Sequence, residues 1–94
     1  MSTPSEGRYS LTISRSAAVA LTEGLPEKVA HVIYAFIVGP LLDNPHRVGR
    51  ALNPPLAPAY SARRGDYRVL YLIDEASRTV SVTAIRHRRD AYRT

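Results

Sequence analysis

The chain has no cysteine, no tryptophan, one phenylalanine, one methionine and one lysine among its 94 residues. Without thiols there is neither a disulfide framework nor a thiolate metal site. The three histidines, His31, His46 and His87, lie too far apart to read as a ligand set, so neither a metal nor any other cofactor is expected. Aromatic residues make up only 7% of the chain, which leaves Leu, Val, Ile and Ala to fill the core. No apolar run approaches the roughly 20 residues of a membrane-spanning helix. The start, Met1 to Gly7, lacks the basic and apolar stretches of a secretion signal, and a cytoplasmic location is expected. With Lys28 as the single lysine, positive charge rests on arginine, whose pKa above about 12 disqualifies it as a proton acceptor.

The charge that is present is polarised. Net charge is +5, yet residues 1–46 hold Arg8, Arg15 and Lys28 against Glu6, Glu23, Glu27 and Asp43. Residues 47–94 hold ten arginines against four acids. Seven of those ten lie in two blocks, Arg63-Arg64-Gly65-Asp66-Tyr67-Arg68 and Arg86-His87-Arg88-Arg89-Asp90-Ala91-Tyr92-Arg93, on either side of an apolar run. Guanidinium is planar, permanently charged and matched to phosphate oxygens. Such blocks suggest a polyphosphate partner, with an acidic protein as the other class and a merely solvated surface as the bland alternative.

Residues 1–8 read as a flexible tail, and residues 9–94 as a single domain. Tyr9, Leu11 and Ile13 alternate with polar residues, the pattern of a half-buried strand. Ser14 or Ser16 caps a short helix carrying Ala18, Leu21 and Leu25, which Gly24 and Pro26 interrupt. Pro26 opens a second helix, where Val29, Val32, Ile33, Phe36 and Ile37 form one apolar stripe until Gly39-Pro40. Residues 42–58 hold four of the seven prolines and read as a long, stiff connection anchored by Val48 and Leu52. Three strands follow as a meander: Tyr60 to Arg64, Tyr67 to Ile73 and Thr79 to Ile85, with turns at Gly65-Asp66 and Asp74 to Ser77. The order is βααβββ, an α+β domain with an antiparallel sheet and an N-terminal αα-hairpin on one face.

Strand alternation puts Arg68 with Leu70 and Leu72, and Val69, Tyr71 and Ile73 on the other side. Arg86 shares the parity of Val80, Val82 and Ala84, and His87 that of Ser81 and Thr83. Regular alternation therefore sends Arg86 and His87 to opposite faces, unless a bulge or the strand end reorients one of them. Arg64-Gly65-Asp66 reads as a hairpin turn. His31 and Tyr34 read as boundary residues of the second helix, and His46 as solvated.

The run Ser61-Ala62-Arg63-Arg64-Gly65-Asp66-Tyr67-Arg68-Val69-Leu70-Tyr71-Leu72-Ile73-Asp74, the terminal Arg86-His87-Arg88-Arg89-Asp90-Ala91-Tyr92, Leu25-Pro26 and Asn44-Pro45 together resemble the RelE/ParE superfamily of bacterial type II toxins. The RelE branch of that resemblance implies a metal-independent endoribonuclease, an mRNA interferase that cuts mRNA in the ribosomal A site and inhibits translation. It also implies an acidic, RelB-like antitoxin as partner in a toxin–antitoxin hetero-oligomer. Carried over by motif, Arg68 contacts the scissile phosphate, Arg86 assists the leaving group or transition state, and Tyr92 stacks on or positions the substrate. His87 matches a histidine of some RelE-like toxins and is the best titratable candidate for the base, since the lysines of some RelE sites are missing. Arg63, Arg64, Arg88, Arg89 and Arg93 would grip RNA or ribosome. The competing expectations are a ParE-like DNA gyrase inhibitor and a non-catalytic basic nucleic-acid-binding domain.

Overall fold

The structure is a computed structural model that describes residues 8–89. Strand β1 (Ser10–Ile13) turns its alternate residues Leu11 and Ile13 toward the core. The Ser14 hydroxyl then accepts from the Ala17 N–H at 3.1 Å and caps helix α1 (Arg15–Val19). A π-helical turn, Ala20–Gly24, continues the helix to Leu25, whose extended backbone suits a residue before proline. Helix α2 (Glu27–Val38) follows, and it buries Ile33, Phe36 and Ile37. Val32, expected in that stripe, is instead 59% exposed.

Gly39 ends α2, and Pro40 opens a short helix α3 (Pro40–Asp43) that buries Leu41 and Leu42. Arg8, expected in the tail, docks at this junction: Nε donates to Asp43 Oδ1 at 2.7 Å and Nη2 to the Val38 carbonyl at 2.9 Å. It thereby satisfies a carbonyl that the end of α2 leaves open. The residues before Arg8 lie outside the described residues.

The proline-rich connection contains a two-residue strand, β2 (Arg50–Ala51), and leads into β3 (Tyr60–Arg64), β4 (Tyr67–Asp74) and β5 (Thr79–His87). The sheet order is β1-β5-β4-β3-β2. The βααβββ order holds, but the sheet is mixed where an antiparallel one was expected: β1 pairs with β5 in parallel. No hairpin joins those two strands. The helices carry the chain across to the far edge, and the meander then dictates the direction in which β5 returns.

The core joins Ala17, Ile33, Phe36, Ile37 and Leu41 to Ala62, Val69, Tyr71, Val80 and Val82. It is aliphatic, as composition demands, except for Phe36 and the fully buried Tyr71, and the Tyr71 hydroxyl donates to the Pro45 carbonyl at 2.7 Å. Burial pushes the Tyr71 phenol up to about 12. The connection passes so close to the sheet that a Cβ on Gly49 would meet the Tyr71 hydroxyl and lie 2.8 Å from the Ser61 carbonyl oxygen. His46 is exposed, as expected, and fastens the same segment from outside, pairing through Nε2 with the Glu75 carboxylate. Glu75 also accepts from the Tyr9 hydroxyl at 2.8 Å. These two bonds, His46 first, hold the Glu75 carboxyl below its ordinary range.

Candidate functional site

Residues directly opposite one another on antiparallel strands project from the same face. Arg63 on β3 is opposite Arg68 on β4, and Arg68 is opposite Arg86 on β5. The three arginines therefore form one row across three strands, on the face away from Val69 and the core. Arg63 and Arg86 are exposed and Arg68 is half-buried.

A β-bulge makes the row possible. Leu70 is opposite Ala84, but the next residue, Tyr71, is opposite Val82, which leaves Thr83 as an extra residue in β5. Val80 and Val82 point into the core before the bulge, and Arg86 points to the opposite face after it. The polar groups of the bulge are satisfied locally. The Thr83 hydroxyl donates to the Leu70 carbonyl at 3.2 Å, and the Ser14 hydroxyl donates to the Thr83 carbonyl at 2.8 Å.

Cations placed directly opposite one another destabilise a sheet, by about 1 kcal/mol per neighbouring pair even in a water-like dielectric. The row makes chemical sense as a receptor for anionic oxygens. Beside it Val48, Gly49, Arg50, Ser61, Arg63 and Arg68 line a polar hollow of about 550 Å³. Arg50 enters because β2 sets it opposite Ser61. Ser61 is only 5% exposed, and its hydroxyl has no hydrogen-bond partner among the described residues. A buried group in that state costs about 1–3 kcal/mol until water or a ligand meets it.

The other expected site residues go elsewhere. His87 is opposite Tyr67, with the two rings edge-on at 5.2 Å, and with Arg86 it lines a hollow closed by Ala20, Gly24 and Leu25. Its Nδ1 accepts from the Arg89 N–H at 3.2 Å. The bulge that brings Arg86 opposite Arg68 thus gives its neighbour His87 the other parity, with its ring against Tyr67. Arg64, expected to grip RNA, lies over the Phe36 ring with its guanidinium carbon 3.7 Å from the centroid. There it covers the core edge as a cation–π partner. Arg88 stays by the β3–β4 turn, with Nε 4.0 Å from Asp66 Oδ1, and Arg89 is exposed. Tyr92 and Arg93 lie outside the described residues.

Sequence reasoning missed Arg50 and Ser61. Arg50 sits in a proline-rich stretch without periodicity, and Ser61 is a small polar residue in a short strand. The Ser61-Ala62-Arg63 alternation puts Ser61 on the arginine face, which was the one available signal.

With this fold and arginine row in view, the comparisons are consistent. The family model described as the ParE toxin of type II toxin–antitoxin systems, parDE, matches residues 18–92. Toxin RelE of Mycobacterium tuberculosis is 46% identical over 85 residues, which is 90% of this chain and 87% of that protein. Toxin RelG of the same organism is 44% identical over 69 residues, covering 73% and 79%. Among solved structures, the toxin–antitoxin complex RelBE2 of M. tuberculosis contains a chain that superposes with a TM-score of 0.81 at 36% identity, covering 85% of this chain and 98% of that one. The isolated E. coli RelE toxin shares the fold, with a TM-score of 0.68 at 18% identity and coverage of 84% and 83%. The chain belongs to the RelE/ParE superfamily of type II toxins.

Proposed function

We propose that this toxin is a RelE-like mRNA interferase, an endoribonuclease that cuts mRNA on the ribosome and so inhibits translation. The observation that carries the reading is the cross-strand row Arg63, Arg68 and Arg86. In phosphodiester cleavage of this kind the 2′-oxygen attacks phosphorus, the O2′–P bond forms, the P–O5′ bond breaks, and a 2′,3′-cyclic phosphate remains. The pentacoordinate phosphate gains negative charge on the way, and fixed guanidinium groups at that point lower the barrier. Arg68 holds the scissile phosphate and Arg86 stabilises the departing 5′-oxygen. The 2′-OH proton leaves to water, the departing 5′-oxygen takes a proton from water, and the ribosome supplies the alignment of nucleophile and phosphorus. Tyr92 keeps the expected role of positioning the substrate.

An acidic, RelB-like antitoxin is the partner this reading requires, and the RelBE2 complex found for the 36% identical neighbour supports it. The arginine face is suited to an acidic segment as well as to RNA, so the antitoxin would inhibit by occupying the same charges. The ParE description of the matching family favours a second reading, a DNA gyrase inhibitor of the same fold.

Primer extension on mRNA from a translating extract separates the two. Codon-positioned cuts that disappear with Arg86→Ala support the interferase. Intact mRNA accompanied by DNA breakage would transfer the chain to the gyrase reading.

A further inference from the structure

Past Val82 one edge of β5 stands open. β1 pairs with β5 only from Thr79 to Val82, so no strand lies beside residues 83–87 on that edge among the described residues. The end of the helical hairpin stands across the gap instead. There Ala20, Gly24 and Leu25 face Tyr67, Ile85 and Arg86 over a hollow of about 300 Å³, the volume at which ligand clefts begin. We propose that this hollow is a nucleobase slot, which takes the base adjoining the phosphate held by Arg68 and Arg86 between the hairpin and the Tyr67 ring. The inference deepens the interferase reading and rests on it for the identity of the nucleic acid.

The fold gives no reason for a glycine at position 24. Unlike Gly65, Gly24 does not adopt a positive φ. A Cβ there would have no neighbour nearer than 4.0 Å. Glycine weakens a helical turn relative to alanine, so neither backbone nor packing explains it. Its effect is to leave the helix wall of the hollow without a side chain. The other walls suit a flat, apolar-faced group tied to an anion. Ala20, Leu25 and Ile85 are apolar, and the half-buried Tyr67 ring is steadied by His87 edge-on to it. Bases stack on aromatic side chains whatever their identity, because each has a π-face. Arg86 joins the slot to the row, since it borders the hollow and is opposite Arg68. Every internal phosphate of an RNA strand carries a nucleoside on either side. A strand anchored on Arg68 and Arg86 therefore brings a base to the mouth of the hollow.

The test is titration with a 2′-O-methyl RNA dinucleotide, which has a single phosphate and lacks the attacking 2′-OH, followed by amide NMR shifts of the protein. Two further probes each replace one of its nucleosides by abasic ribose. The intact dinucleotide is expected to shift the amides of Gly24, Leu25 and Tyr67. Loss of one of the two bases is expected to weaken binding about tenfold, the scale of one base–aromatic stack. Gly24→Leu, which fills the slot, is expected to weaken the intact dinucleotide by a similar factor and to bind all three probes alike. Its salt dependence should match the wild type, since no charge changes. The slot is overturned if the wild-type protein does not bind the dinucleotide, or binds both abasic probes as tightly as the intact one. It is equally overturned if the shifts bypass Gly24 and Leu25, or if folded Gly24→Leu keeps wild-type affinity. Base-dependent binding at these residues by a protein that leaves mRNA intact would keep the slot and remove the interferase reading. Codon-positioned cutting by a protein indifferent to the missing bases would do the reverse.

Discussion

The hydroxyl of Ser14 donates to the carbonyl of Thr83 at 2.8 Å, while the same oxygen accepts from the Ala17 N–H at 3.1 Å. One serine thus caps α1 and steadies the bulge that turns Arg86 toward Arg68. Ser14→Ala removes both bonds together. The expected result is a loss of about 1–2 kcal/mol in urea unfolding, the range for a helix cap. A variant as stable as the wild type would mean that water replaces the serine at both places.

Arg68 is expected to need its fork of donors as well as its charge. Arg68→Lys keeps the charge but loses bidentate geometry, so single-turnover cleavage on ribosomes should fall by about 10²-fold or more. Circular dichroism of the variant would confirm that the fold survives. Cleavage at the wild-type rate would show that charge alone suffices at this position.

His87→Gln is expected to change the cleavage rate by no more than about threefold, against the 10²–10⁴-fold that a general base contributes. His87 is paired with Tyr67 on the helix side, and the Arg89 amide occupies its Nδ1. Rates of the wild type and the variant across pH, in single turnover, provide the check. A loss of about a hundredfold would return His87 to the role of proton acceptor.

Gly49→Ala is expected to destabilise the protein by about 1–3 kcal/mol, the usual cost of overpacking a rigid site. The added methyl would meet backbone at Ser61 and a buried phenol at Tyr71, neither of which can swing aside. Thermal unfolding measures this directly, and an unchanged midpoint would show that the connection yields.

Tyr71 confers a dependence on alkaline pH. Its phenol is raised from 10.0 to about 12 by burial, so the folded state favours the protonated form. That contribution to stability is fully present below about pH 10 and is lost as pH rises from there through 12. Unfolding free energy should decline over this window in the wild type. In Tyr71→Phe the decline should be smaller, from a lower starting value because the bond to the Pro45 carbonyl is gone. Identical pH profiles would assign the alkaline loss to other groups.

Local pattern made much of the architecture legible. The stripe Ile33, Phe36 and Ile37 has helical spacing, Ser14 is a helix cap, and Gly65-Asp66 is a tight turn in which Gly65 adopts a φ of 61°. Val32 and Arg8 were misplaced because burial at the edge of a helix and docking at its end depend on distant neighbours. The parallel pairing of β1 with β5 was equally invisible, since no local signal says which edge an isolated strand will join.

The family resemblance, the βααβββ order and the two charge blocks that hold Arg68 and Arg86 were all legible without coordinates, because turn residues, apolar period and charge runs are properties of short stretches of chain. Tertiary structure alone decided which of those charges meet. One extra residue in β5 reverses the side-chain parity beyond it, and so sends Arg86 to the arginine row and His87 to Tyr67. Pairing with β2 added Arg50 to the same face and buried Ser61 there, while plain alternation along β3 puts Arg64 on the other face, over Phe36.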